Sequence, residues 1–428
     1  MSKSRATISL HRRILPLVVL PALVLAGCAP TPAPAPTSTP GTSTPGSTEA
    51  SSGSAHTAAP SPSPSRSQAT SPAPSSRPTS APAQSAAEKT LASLSLEERI
   101  GQVLMVGVPA TGSSAADRSL IADRELGNFF LKGRSSAGNK ATAAVVERVE
   151  ATISKALSVD VDAFVATDQE GGAVQVLKGS GFSSLPAALT QGGWAAGTLR
   201  ERAADWGKEL AAAGVNVNLA PVADTVPSAS FAPSNAPIGY WKREYGYDPR
   251  TVSAASRAFS AGMLEAGVDP VIKHFPGLGR VTKNTDTARN VTDTQTTRDD
   301  AYLKPFRDGI ASGNDWVMVS NAYYTKIDAK NIAPFSSTIM RGMLREDLGF
   351  NGIIVSDDMC DAAQLGPWGL GTRAVRFFAA GGTMLLCVNA GNMPAIAGAL
   401  HAKASKDPAF ARIIDAAALR VLRVKEER

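Results

Sequence analysis

Gly352-Ile353-Ile354-Val355-Ser356-Asp357-Asp358 decides the fold. Three β-branched residues in a row, with no polar alternation, suit a strand covered on both faces, and such strands belong to parallel sheets. The run then turns abruptly polar at its C-terminal end. The same design recurs near Val103–Val108, Asn128–Leu131, Ala163–Thr167, Val215–Leu219, Pro270–Lys273, Trp316–Ser320 and Thr383–Cys387. Amphipathic stretches lie between most of these runs: Lys140–Ala156, Thr198–Ala213, Val252–Glu265, Asp299–Ala311 and Ser337–Leu348. Eight strand–helix units predict an α/β fold, a single TIM-like (β/α)₈ barrel. An open doubly wound sheet is the alternative, but no Gly-x-Gly-x-x-Gly follows the first run. The barrel is assigned to residues 87–428, and Ser95-Leu96-Glu97-Glu98 near its start has the spacing of a helix capping box.

The preceding residues read differently. Lys3, Arg5, Arg12 and Arg13 form a positive segment, followed by an apolar stretch from Ile14 to Leu25, too short for a stable membrane span. Leu25-Ala26-Gly27-Cys28 then resembles the lipobox of bacterial lipoproteins. That resemblance implies cleavage before Cys28, lipidation of its thiol and an extracytoplasmic chain held on a membrane by its acyl anchor. Residues 29–86 are dominated by Ala, Pro, Ser, Thr and Gly and lack the apolar side chains needed to offset the entropy of ordering, so a disordered, semi-stiff spacer is expected.

This division changes the meaning of the charge. Residues 1–86 hold six basic groups against one acid, so +5 of the net +6 lies there and the barrel is close to neutral. The basic excess therefore gives no indication of a nucleic-acid partner. Of three cysteines, Cys360 and Cys387 remain in the barrel; both sit in apolar runs and read as small core residues, with no disulfide framework implied.

Barrel enzymes work at the C-terminal ends of their strands. Those ends carry Asp168-Gln169-Glu170-Gly171-Gly172, Asn218 to Asp224, Lys273-His274, Ser320-Asn321 and Ser356-Asp357-Asp358. There is no phosphate loop and no Cys/His cluster, so neither a metal nor another cofactor is expected. A rim of carboxylates and hydrogen-bonding groups suits a neutral polyol, that is, a sugar. The partner expected is a carbohydrate, bound by a monomer.

Lys273-His274-Phe275-Pro276-Gly277-Leu278-Gly279 resembles the Lys-His-Phe-Pro-Gly-His-Gly signature of glycoside hydrolase family 3, in its bacterial β-N-acetylglucosaminidase branch. Asp168 to Gly172, Arg243-Glu244-Tyr245-Gly246 and Arg345 to Asp358 resemble further elements of that branch, in the family order. The resemblance implies exo-acting, retaining hydrolysis through a covalent glycosyl–enzyme, with Asp357 as nucleophile and Asp168, Arg243, Lys273 and His274 holding the sugar. Asp358 reads as a cap or a supporting group. Cell-wall glycan is the substrate that the anchor and spacer suggest.

Three departures leave parts of this open. The branch carries an Asp-Ser-His element after the fifth strand, whose His transfers the proton; Asp286 matches the Asp, but Ala288 stands at the His. Asp286 is then the group left to act as acid and base. Ala173-Val174-Gln175-Val176 replaces a stretch usually containing Arg, and Leu278 replaces the second His of the signature. A sugar-binding lipoprotein of low or no activity, and a glycosidase for a different sugar, are the alternatives these departures raise.

Overall fold

The structure is a computed structural model and describes residues 84–428. The expected signal segment, Cys28 and nearly all of the expected spacer lie outside the described residues. The first described helix, Ala86–Ser93, starts one residue before the boundary assigned at 87, and Ser85 caps it through a capping box with Glu88. The second helix, Leu96–Gln102, starts on the expected box of Ser95 and Glu98, whose side chains satisfy each other's backbone N–H.

All eight expected strands form. They are β1 (Leu104–Pro109), β2 (Asn128–Lys132), β3 (Phe164–Thr167), β4 (Val217–Asn218), β5 (Asp269–Phe275), β6 (Trp316–Val319), β7 (Ile353–Ser356) and β8 (Leu385–Cys387). They pair in parallel in the order β7-β6-β5-β4-β3-β2-β1-β8. A single bridge, Val355 with Met384, closes β7 onto β8. Around this seam the Ser356 amide donates to the Met384 carbonyl (3.0 Å) and the Met384 amide to the Ile354 carbonyl (3.1 Å). The result is a (β/α)₈ barrel. Its strands read as continuous apolar runs because both faces are covered: Ile353, Ile354 and Val355 are fully buried, as are Val317 and Val319 beside them.

Helices follow each strand in turn, among them Asn139–Ala156, Ala196–Ala211, Pro249–Glu265, Lys304–Ala311 and Leu370–Ala380. Asp248 and Pro249 show why one of them starts where it does. The Asp248 carboxylate accepts from the Arg250 and Thr251 amides, and Pro249 occupies a position whose N–H would have no partner in the helix. The stretch expected as an amphipathic helix over Ser337–Leu348 is a π-helix over Thr338–Asp347. Apolar spacing does not distinguish the two pairings. The Arg345 guanidinium donates to the Phe350 and Gly352 carbonyls (2.8 and 2.7 Å), tying this helix to the start of β7.

The reading of Cys360 and Cys387 as unpaired core residues is corrected: they form a disulfide, with Cα atoms 5.2 Å apart and a separation of 27 positions in sequence. Closure of the barrel brings the segment leaving β7 against the end of β8, a proximity that neither local sequence records. The disulfide thus staples the seam that the strand ladder covers with only one bridge.

Replacing both cysteines with serine is expected to lower stability by about 2–5 kcal/mol, because the cross-link restricts the unfolded chain. A fall in the urea midpoint, matched in the unaltered protein by added reductant, is the measurement.

Candidate active site

The C-terminal ends of the strands enclose a cleft of about 480 Å³. Asp168, Arg243, Lys273, His274, Asp286 and Asp357, all singled out from sequence, line it together. Val174 and Leu278, two of the departures, lie on its wall as well.

One side of the cleft is a charge network. Gly171 and Gly172 have φ of +106° and +58°, a left-handed pair that turns the chain sharply after Glu170. This turn leaves Asp168 and Glu170 at the rim end of β3. Lys273, almost fully buried on β5, donates from Nζ to Asp168 Oδ1 (2.7 Å) and approaches Glu170 Oε1 at 2.7 Å. Arg243 forms a bidentate pair with Glu170, from Nε to Oε2 (2.8 Å) and from a terminal nitrogen to Oε1 (2.7 Å). Burial alone would push the Glu170 carboxyl up, but the Arg243 and Lys273 cations overcome this and hold it down to about 2. Burial likewise opposes the charge on Lys273, and the Asp168 and Glu170 carboxylates outweigh it, so the ammonium is held above its ordinary range. Arg243 and Lys273 thus spend much of their hydrogen-bonding capacity on Glu170, a residue to which the sequence reading gave no role. Its signal was present: an acid two places after Asp168, immediately before a glycine pair.

His274 faces the same space. Its Nδ1 lies 2.7 Å from Oδ2 of Asp224, a fully buried acid. Asp224 Oδ1 also accepts from the Leu278 amide (2.7 Å) and the His274 amide (3.2 Å). A carboxylate only accepts, so Nδ1–H is the donor to Asp224 and Nε2 is the ring nitrogen left for another partner. Asp224 was also read without a role. Its position at the polar end of the fourth run is what could have marked it.

Asp357 emerges at the end of β7. Burial raises its carboxyl to about 6, with the nearby Asp286 charge adding to the rise and His274 and Lys273 opposing it. Its Oδ1 accepts from the Asp358 amide (2.8 Å). Asp358 acts as a cap: its carboxylate accepts from the Cys360, Asp361 and Val388 amides at 3.1, 2.7 and 2.9 Å. Arg373 holds the next turn, donating to the Met359 and Cys360 carbonyls (2.8 and 2.6 Å).

Asp286 sits on an exposed turn across the cleft. Asn284 Oδ1 accepts from its amide (2.9 Å), while its own carbonyl accepts from the Ala363 amide (3.0 Å), downstream of Asp357. Ala288, at the position of the expected His, is half-buried against the hydrophobic core and is not part of the cleft wall. Among the described residues the other histidine is His401, paired with Glu97 on the outer helices. No group of His, Cys, Asp and Glu among the described residues is arranged to hold a metal ion.

This geometry has known counterparts. The family model for the glycosyl hydrolase family 3 N-terminal domain matches residues 95–424. The chain belongs to glycosyl hydrolase family 3. It is therefore a glycoside hydrolase. A β-hexosaminidase of Xylella fastidiosa is 33% identical over 277 residues, covering 63% of this chain and 78% of that one. The crystal structure of a β-N-acetylhexosaminidase from Beutenbergia cavernae is 48% identical, with a TM-score of 0.77, covering 78% of this chain and 99% of that one. A family 3 β-N-acetylglucosaminidase from Paenibacillus is 27% identical with a TM-score of 0.70, over 78% of this chain and 62% of that one.

Glu170→Gln leaves buried Lys273 and partly buried Arg243 short of an anion and is expected to cost roughly 3–5 kcal/mol of stability at neutral pH. Because the Glu170 pKa is lowered on folding, its contribution is present above about pH 4.5 and is lost as pH falls toward 2. Urea unfolding at a series of pH values should show the two proteins converging in acid.

Proposed function

We propose that this family 3 hydrolase is an exo-acting, retaining β-N-acetylglucosaminidase, with Asp357 as nucleophile and Asp286 as acid and base. The observation that carries the reading is the shared cleft, which Asp357 and Asp286 line together with the Asp168, Lys273 and Arg243 network. The names of the similar proteins support the acetamido sugar.

In this reading the ionised Asp357 attacks the anomeric carbon as Asp286 gives its proton to the departing glycosidic oxygen. The bond to the leaving group breaks and an ester to Asp357 forms. Asp286, now a carboxylate, takes a proton from water, whose oxygen displaces Asp357 and releases the sugar. Asp168, Lys273 and His274 orient the sugar hydroxyls, and Arg243 either reaches the acetamido oxygen or acts by holding Glu170. The Cys360–Cys387 disulfide supports an oxidising, extracytoplasmic location. Lipidation of Cys28 and a cell-wall glycan as substrate complete the proposal, with a monomer tethered to its membrane.

A second reading, a sugar-binding protein with weakened catalysis, is favoured by Ala288, which turns toward the core where the branch has its proton-transferring His. A 2-fluoro glycosyl fluoride separates the two. Mass mapping of a label on Asp357 is the expected outcome; an unlabelled, folded protein that still binds sugar would establish the second reading.

Activity against an activated substrate such as nitrophenyl β-N-acetylglucosaminide should have an acid limb near pH 6, since protonated Asp357 cannot attack. Asp286→Asn removes a neighbouring negative charge, so this limb is expected to move to lower pH. The same variant should slow substrates with poor leaving groups by about 10²–10⁴-fold. A pH profile of kcat/KM on both substrate types reads both effects.

A further inference from the structure

Tyr240 and Trp241 stand out on the surface. They are 61% and 48% exposed, and Leu264 is the other large apolar side chain so exposed among the described residues. Isolated exposed apolar residues are ordinary, but two adjacent aromatics packed on each other are not. Their rings meet edge to face, with centroids 4.9 Å apart and planes at 81°.

The loop that carries them is built to hold them there. The Asn235 side chain donates to the Leu278 and Val281 carbonyls (2.8 and 2.6 Å) and accepts from the Gly239 amide (2.7 Å). The Tyr240 and Trp241 amides donate to the Asn235 and Ile238 carbonyls (3.0 and 3.1 Å), and Lys242 ends the turn at φ +57°. On either side, Pro237 and Arg243 line the cleft itself. These two are also bonded to each other, the Arg243 guanidinium donating to the Pro237 carbonyl (2.8 Å). The exposed pair therefore belongs to a rigid loop whose two feet form the cleft wall.

We propose that Tyr240 and Trp241 form a stacking platform for a pyranose ring on the leaving-group side of the scissile bond, outside the cleft. This rests on the glycosidase reading above. An exo-acting enzyme places one terminal sugar against Asp357, so the rest of the glycan must leave over the rim. An aromatic face matches the C–H face of a pyranose, and the Tyr hydroxyl and Trp N–H provide polar edges for its hydroxyls. The platform selects oligosaccharides over simple glycosides without touching the reacting atoms.

The test compares two substrates that react through the same cleft: tri-N-acetylchitotriose and N-acetylglucosaminyl fluoride, whose leaving group does not reach the rim. The ratio of kcat/KM for the first to that for the second is expected to fall roughly threefold to tenfold in Trp241→Ala and in Tyr240→Ala, the range of one aromatic contact. An unchanged ratio overturns the platform, whether both activities stay intact or both fall together through a disturbed Arg243. If the unaltered protein hydrolyses neither compound, the β-N-acetylglucosaminidase reading falls instead. Calorimetric titration of chitotriose into Asp357→Asn, with and without Trp241→Ala, then decides the platform: about threefold to tenfold weaker binding supports it, and equal affinity overturns it.

Discussion

An ammonium buried at the mouth of a barrel requires anions beside it, since the charged form is otherwise too poorly solvated to persist. Lys273 meets this requirement with Asp168 and Glu170, and Glu170 in turn binds Arg243. The constraint links β3, β5 and the loop after β4 at a single point. The glycine turn after Glu170 and the loop carrying Arg243 gain their positions from it. The electrostatics of the opposite wall depend on it too, because Lys273 and His274 limit how far burial can raise Asp357.

The Asp357 side is held by a different means. Ser356 Oγ accepts from the Leu386 amide (2.9 Å), the Met359 amide donates to the Leu386 carbonyl (3.0 Å), and Asp358 accepts from Val388. The Asp286 turn is fastened to the same segment, with the Ala363 and Gln364 amides donating to the Asp286 and Thr285 carbonyls (3.0 Å each). The two carboxylates proposed for catalysis therefore ride on segments bonded to one another. Seam, disulfide and Asp357 occupy one corner of the barrel, where the strand ladder is thinnest.

Much of this was legible in the sequence because burial leaves a local mark. Strands covered on both faces must be apolar at every position, so runs such as Ile353–Val355 announce themselves, and the acids that end them stand out. What stayed hidden depends on partners distant in the chain. Cys360 and Cys387 look like any small core residues until barrel closure brings them together. Glu170 reads as one more rim acid, because its weight comes from cations 73 and 103 residues away, at Arg243 and Lys273. Asp224 is similar: only its contact with His274 gives it meaning. The π-helix at Thr338–Asp347 escaped for another reason, since apolar periodicity records which face is buried and not which carbonyl each amide finds.

The environment of Ala288 bears on how this chain can change over generations. The methyl group lies against the hydrophobic core, in a turn where its amide donates to the Asn284 carbonyl (2.9 Å). A side chain at this position therefore starts beside the core and not on the cleft wall. Bringing an imidazole from this position into the cleft therefore calls for a reshaped turn, in a segment already fastened to the loop that follows Asp357.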